Sequence, residues 1–259
     1  MDAGTSATPA AHTIAGNLAF ADLREALRRG WRDFRAAPVF GLFFAGIYVL
    51  AGLGLYFLLF QRGQIAWLIP AAAGFPLLAP FIAVGLYEVS RRRAEGLPLG
   101  WGAVLGALRG RGDEQLIMMG GFVFVGFTFW IILAHGIFAI FLSESGMGSE
   151  SLEFLLSPWG LAMLAVGGAV GALMALLFYA ITVISLPMMV DREVDFLTAM
   201  FASVSAVRSN SLVLIGWAVF MALALFAAMI PWFLGLLLVL PVLAHATFHL
   251  YRRTVTFAD

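Results

Sequence analysis

Two histidines near the end of the chain have the type and spacing that could most readily do chemistry. His245 and His249 stand four residues apart in the apolar run PVLAHATFHLYRR. Residues at that spacing share one face of a helix, so the pair could bind a metal or a haem. They could equally be polar groups at the water-facing end of a membrane helix, bonded to carbonyls, headgroups or water. The second interpretation requires no ligand.

A metal or haem site would need further ligands that converge on the two histidines. Glu88 is one candidate, because it stands near the end of another apolar segment as His249 does, and the pair Asp191 and Glu193 is another. The histidine pair lacks the glutamate of the zinc-protease motif His-Glu-x-x-His. We therefore keep His245, His249 and Glu88 as candidate cofactor ligands, and we predict that the protein binds no metal and no cofactor.

The composition indicates an integral membrane protein. Of the 259 residues, 62% are hydrophobic and 12% are charged, whereas soluble proteins have about 45–50% and 25%. The chain has no cysteine, which excludes disulfides, thiolate nucleophiles and cysteine-ligated clusters. Basic and acidic residues balance at 15 each, so the net charge gives no indication of nucleic-acid binding.

Six segments are long and apolar enough to cross the membrane as helices, which takes about 20 residues. They are approximately 38–60, 66–88, 116–142, 159–189, 211–230 and 231–250. With six crossings every arginine except Arg62 lies on one side, and arginine-rich loops face the cytoplasm. We therefore predict a multi-pass protein with both termini in the cytoplasm. Charged residues are absent from the middle of every predicted span, which argues against a proton pump or an antiporter.

An amphipathic segment precedes the first span. In FADLREALRRGWRDFRAAP the apolar residues recur at the spacing of one helix face, and the opposite face is rich in arginine. A basic helix with aromatic residues on its apolar side favours the membrane surface, where arginines meet anionic headgroups. We predict that the following residues bind anionic lipids there: Arg24, Arg28, Arg29, Trp31, Arg32, Phe34 and Arg35.

The unit of a surface helix followed by two spans recurs along the chain. Pro80 and Glu88 in the first unit recur as Pro241 and His249 in the last, with the same spacing. The predicted fold is therefore all-α, with six transmembrane helices in three pseudo-repeated hairpins, each preceded by a cytoplasmic amphipathic surface helix. The predicted organisation is a disordered cytoplasmic tail (1–18), one membrane domain (19–253, with repeat units of about 20–90, 97–190 and 194–253) and a second cytoplasmic tail (254–259).

Other patterns favour packing over chemistry. Gly167, Gly171 and Ala175 line one face of the fourth span, where small residues allow another helix to approach closely, and we expect a helix of the same chain there. In the acidic cluster DREVDF, Asp195 as a helix N-cap and Arg192 as an interfacial anchor explain the charges without catalysis. The sequence contains no glycine-rich phosphate loop and no serine nucleophile elbow, so we predict that the protein is not an enzyme.

Several stretches resemble one family. LREALRRGWRDFRAAPVFGLFF, FPLLAPFIAVGLYEVSRRRAEGLPLGW, ISLPMMVDREVDFLTAM and LPVLAHATFHLYRR together extend over nearly the whole chain. They are similar to predicted integral membrane proteins, mostly alphaproteobacterial, known as domain of unknown function family 2189. The resemblance implies a bacterial inner-membrane protein and no particular reaction.

Two classes of function stay open. The first is a non-enzymatic accessory, assembly or scaffold subunit that associates with other membrane subunits or with itself, in a larger complex such as a respiratory or photosynthetic one. The second is a carrier or channel for a small or lipid-like molecule, with a pocket inside the helix bundle. A metal- or haem-binding membrane protein is the third and least supported alternative.

Overall fold

The structure, a computed structural model, describes residues 12–62, 79–107, 115–145 and 152–257. Those residues form helices and two short strands, and the core lies where the helices cross. In chain order the elements are β1 (His12–Ile14), α1 (Phe20–Ala36), α2 (Pro38–Gln61), α3 (Ala79–Ala94), α4 (Trp101–Gly106), α5 (Gln115–Ser145), α6 (Leu152–Leu156), α7 (Pro158–Thr182), α8 (Ser185–Asp191), α9 (Phe196–Ser209), α10 (Ser211–Met229), α11 (Leu236–Thr254) and β2 (Val255–Phe257).

Four of the predicted spans are confirmed as helical segments long and apolar enough to cross a membrane. They are Pro38–Gln61, Gln115–Ser143, Pro158–Asp191 and Ser211–Met229. The third includes α7 and α8, which are separated by a turn at residues 183–184. These segments expose many large apolar side chains, as helices surrounded by lipid must.

The other two predicted spans do not appear as such helices among the described residues. Most of the segment 66–88 lies outside those residues, and α3, which begins at Ala79, continues to Ala94 through three arginines. The predicted bounds of the last span, 231–250, are wrong, because helix α11 begins only at Leu236 and continues to Thr254. Its start follows a turn in which Trp232 and Phe233 have positive φ angles of 51° and 63°.

Helix α11 lies at the centre of the structure, where it packs against α1, α2, α3 and α10. Helix α1 runs antiparallel to α11 along the C-terminal part of α11, since Asp22 pairs with Arg253 and Asp33 with His249. The two backbones meet at Gly30, where a Cβ atom would lie 2.6 Å from the amide nitrogen of Ala246. Only glycine permits this approach.

The apolar face of α1 therefore contacts protein and not lipid, which corrects part of the predicted membrane-surface site. Phe34 is buried with 9% of its surface exposed, whereas Trp31 is 41% exposed. Leu23, Ala26 and Gly30 are buried on the same side as Phe34. The five predicted arginines remain exposed, so their contact with anionic headgroups stays a prediction: Arg24, Arg28, Arg29, Arg32 and Arg35.

The segments predicted as tails contain ordered structure near both ends. Strands β1 and β2 pair antiparallel, with Thr13 opposite Thr256. The Asn210 side chain fixes the chain beside this ribbon, because it accepts a hydrogen bond from the Leu18 amide at 3.0 Å and donates one to the Ala15 carbonyl at 2.7 Å. Residues 12–14 and 255–257 therefore lie on the same side of the helices.

Replacing Gly30 tests the contact between α1 and α11. We expect Gly30→Leu to lower the free energy of unfolding by about 3 kcal/mol, because the side chain has no space between two backbones. Thermal unfolding in mild detergent, followed by circular dichroism, measures the change. Gly46→Leu in α2 is the matched control, since a Cβ atom at Gly46 would have no other atom within 4 Å. Equal losses in both variants would contradict the contact.

Candidate functional site

A buried polar cluster lies where α1, α3 and α11 meet, and it contains both histidines of the sequence motif. Asp33 of α1 is 6% exposed, Ser90 of α3 and His245 of α11 are fully buried, and the side chain of His249 is 13% exposed. The close approach at Gly30 explains the position of Asp33, which lies one turn further along the same face of α1. The carboxylate is thereby carried into the contact between the helices.

The Asp33 carboxylate is the common acceptor of this cluster. Its Oδ1 atom accepts a hydrogen bond from Arg93 Nε at 2.8 Å. Its Oδ2 atom accepts from Ser90 Oγ at 2.7 Å and from His249 Nε2 at 2.7 Å. Burial alone would raise the pKa of Asp33, but the hydrogen bonds from His249, Arg93 and Ser90 outweigh it and lower the pKa to about 2. The group is therefore ionised at neutral pH.

Ser90 also links Asp33 to His245. It has a single hydroxyl hydrogen, which it donates to the ionised Asp33. Its Oγ atom also lies 2.8 Å from His245 Nδ1, a contact whose donor depends on the tautomer of the imidazole. Nε2 of His245 is buried and has no hydrogen bond of acceptable geometry among the described residues.

Serine, histidine and aspartate in contact invite comparison with a hydrolase triad, but the arrangement differs. In a triad the histidine stands between the two others, accepts the serine hydrogen and is oriented by the aspartate. Here Ser90 stands between Asp33 and His245, and Asp33 itself takes the serine hydrogen. Ser90 is also fully buried. What the geometry shows is a cluster that joins α1, α3 and α11.

A second group of charges lies beside this cluster at the ends of α3, α8 and α11. Arg91 Nε donates to Glu88 Oε2 at 2.8 Å, and Arg92 Nε donates to Glu88 Oε1 at 2.8 Å. The hydrogen bonds with Glu88 raise the pKa of Arg91. Arg252 of α11 lies 3.2 Å from Asp191 Oδ1, and Asp191 Oδ2 accepts the Tyr251 hydroxyl at 2.9 Å. Arg252 also donates to Glu95, just after α3, at 3.3 Å, so these charges link the ends of α3, α8 and α11.

The predicted ligand set of His245, His249 and Glu88 does not converge. Each histidine bonds into the Asp33 cluster, whereas Glu88 is occupied by two arginines. In the part of the chain that the structure describes, no three His, Asp or Glu side chains are grouped as metal ligands would be. Glu88 and His249 occupy equivalent places in the proposed repeat, and arginines follow both of them three and four residues later. Glu88 pairs with its two arginines, whereas His249 bonds to Asp33 of α1.

Asp33 is not among the candidate residues of the sequence analysis, because an acidic residue in an arginine-rich amphipathic segment is expected on the polar face. Leu23, Ala26, Gly30 and Asp33 in fact follow one another at helical spacing along the buried side. A glycine in the middle of such a stripe indicates a close helix contact, and the next residue on the stripe then lies in that contact. This signal could have identified the carboxylate.

The small-residue face of α7 lies partly against the same chain. Gly171 meets Trp130 of α5, since a Cβ atom there would lie 2.8 Å from the indole ring, and Gly167 faces Ile137 at 3.9 Å. Ala175 is half-buried.

A pocket of about 160 Å³ lies near the charged helix ends. It is lined by Glu88, Arg91 and Arg92 of α3, by Ala103, Gly106 and Ala107 in and just after α4, and by Val190 of α8.

Removing the Asp33 charge tests its role in joining the helices. Asp33→Asn keeps the shape of the side chain but weakens the hydrogen bonds from Arg93 and His249, and we expect a loss of about 1.5–3 kcal/mol in the free energy of unfolding. Thermal unfolding in detergent measures the loss. Glu25→Gln makes the same chemical change on the exposed side of α1, where its ion pairs are solvated, and should leave the midpoint unchanged. Similar shifts in both variants would contradict the role.

The stabilising effect of Asp33 should also depend on pH in a definite direction. A carboxylate whose pKa falls from 3.8 to about 2 on folding stabilises the protein fully above pH 3.8. The stability difference between the native protein and Asp33→Asn should therefore be constant near neutral pH and should shrink as the pH falls from about 4 towards 2. Unfolding midpoints of both proteins across this range measure it. A difference that stays constant to pH 2 would show that the charge is not responsible.

Comparison with known proteins supports the membrane assignment. The family model described as predicted integral membrane protein (DUF2189) matches residues 68–191, which are 124 of the 259 residues. No curated protein and no solved structure gives a significant match. The matched region extends from the segment before α3 to the end of α8, and so includes Ser90 and Glu88 of the two charge clusters. Over residues 68–191, just under half of its length, this chain is therefore similar to the predicted integral membrane proteins DUF2189.

Proposed function

We propose that the protein is a non-enzymatic scaffold of the bacterial inner membrane, acting as an accessory or assembly subunit of a larger membrane complex. The observation that carries this proposal is the internal use of its buried polar groups. Asp33 accepts hydrogen bonds from three helix-borne groups, and Glu88 is held by two arginines. Side chains that could transfer protons or bind a ligand are thus occupied by partners within the chain, and that of Asp33 joins three helices.

The membrane helices support a role in association. In the four candidate spans, only 11–28% of the residues in the apolar stretch are buried. The lowest value belongs to the span that contains α7. The side of α7 opposite α5 carries small residues that are all exposed: Ala165, Gly168, Ala169 and Ala172. No atom lies within 4 Å of the Cβ position at Gly168. Such a surface suits close packing of a helix from another membrane subunit.

The orientation that we propose places both ends in the cytoplasm. The pairing of β1 with β2 supports an even number of crossings between them. The arginine-rich helix α1 and the arginines at the ends of α3 and α11 lie at that same end of the helices, which the positive-inside rule assigns to the cytoplasm. Three repeated hairpins with six crossings are part of this proposal. They require that the predicted second span, most of which falls in the segment 63–78 outside the described residues, also crosses the membrane.

A carrier of small molecules is the second candidate, and the pocket beside Glu88 favours it. Three charged side chains line the pocket together with small and apolar residues, and the side chain of one of them, Arg92, is 22% exposed. A carrier would bind its substrate without partner subunits. This property separates the two candidates.

Affinity purification from native membranes in mild detergent tests the scaffold role. We expect stoichiometric partner subunits, identified by mass spectrometry, to accompany the native protein. Ala172→Leu should reduce their recovery severalfold, because the larger side chain separates the two helices. Ala222→Leu is the matched control, as it makes the same change at an exposed site on α10 and should retain the partners.

Two results would contradict the scaffold role. A homogeneous, colourless homo-oligomer without partners would overturn it and favour transport. A haem absorption band that persists after the partners are removed would indicate instead that His245 and His249 bind haem. Retention of partners by Ala172→Leu would instead exclude α7 as the contact and leave the partner itself established.

A further inference from the structure

Helix α9 presents its bulky apolar side outwards. Its buried residues are mostly small, namely Ala199, Ala202, Ser203 and Ala206, together with Val207. Its outer side carries Leu197, which is 51% exposed, and Phe201, which is 73% exposed. This is the reverse of an amphipathic helix on a soluble protein, where the large apolar side chains face the core.

The position of α9 fixes what lies outside it. Ser203 Oγ donates a hydrogen bond to the Ala180 carbonyl at 2.7 Å and accepts one from the Ile184 amide at 3.1 Å. Helix α9 is thereby fastened near the end of the span that α7 begins. At its other end Asn210 alone separates it from α10, which continues as a span with Leu212 75% exposed. The outer side of α9 is therefore continuous with surface that faces lipid.

Length excludes a transmembrane position for α9 itself. Its 14 residues extend about 21 Å at 1.5 Å per residue, whereas the hydrocarbon layer is about 30 Å thick. It cannot simply continue α10, because Asn210 adopts φ −130° and ψ 40° between them and its side chain is fixed to residues 15 and 18. A short helix with an outward apolar side at the end of a span is suited to the boundary between headgroups and acyl chains.

We propose that α9 lies in this boundary and inserts Leu197 and Phe201 among the acyl chains of the bilayer. The outer stripe ends in Arg208, which reaches the headgroup level at the end of the helix. Since Asp195 and Glu193 precede the helix, the region has no excess of positive charge. Insertion is therefore driven by apolar contact and does not require anionic lipid.

The absence of cysteine from the chain makes site-directed labelling possible without background. Single nitroxide labels at Phe201→Cys and Leu197→Cys report collision with lipid-soluble oxygen and with a water-soluble nickel complex. The purified protein is measured as one copy per nanodisc, in phosphatidylcholine and in phosphatidylglycerol. Leu223→Cys on α10, 66% exposed, is the lipid reference, and Arg28→Cys on α1 is the reference for the basic outer face.

We expect the labels at 197 and 201 to lie about 5–10 Å below the headgroups. They should be shielded from nickel and accessible to oxygen, with the same depth in both lipids. Nickel accessibility at 201 equal to that at 28 would overturn the proposal, because Phe201 would then lie no deeper than the basic outer face of α1. Shielding from both reagents would also overturn it, because it would indicate a covering protein segment. Unchanged unfolding midpoints of the labelled variants confirm that each is folded.

Discussion

The ionised carboxylate of Asp33 is the constraint on which the rest of the structure depends. A buried charge is tolerated only when several donors surround it, and the donors here come from α3 and α11. Their helices cannot move apart without leaving that charge unpaired. The same requirement fixes the rotation of α1, because Asp33 and Gly30 must both face α11, and it therefore determines which side of α1 remains exposed.

The charged ends of the central helices explain how a very apolar chain keeps a defined arrangement. An apolar side chain gains little free energy by packing against another helix instead of lipid, so apolar contacts specify the arrangement of helices only weakly. The hydrogen bonds from Arg93 to Asp33 and from Tyr251 to Asp191 join different helices and have fixed directions, so they are lost when the helices are arranged otherwise. The polar groups therefore select the arrangement, and the apolar surfaces of the spans remain available to surrounding lipid or to other proteins.

Hydropathy was sufficient to predict the four apolar helices, because crossing the hydrocarbon leaves a run of about 20 apolar residues. Hydropathy could not predict the start of α11, because that start depends on a turn at Trp232 and Phe233. These residues have positive φ angles although neither is a glycine, so the sequence gives no sign of the turn. Amphipathic periodicity placed α1 correctly as a helix but could not distinguish lipid from protein as the partner of its apolar side. The histidine motif identified the region of the polar cluster, whereas the centre of the cluster, Asp33, lies more than 200 residues away in sequence.

The ribbon of β1 and β2 joins segments that are more than 240 residues apart in the chain. During synthesis at roughly 5–20 residues per second, the second strand leaves the ribosome tens of seconds after the first. Residues 12–14 must therefore wait, unpaired, while all the intervening helices are inserted. Closure of the ribbon can occur only after residue 257 has been synthesised, so it follows insertion of the intervening helices, and a chain that stalls before residue 255 leaves its first strand available to other edges.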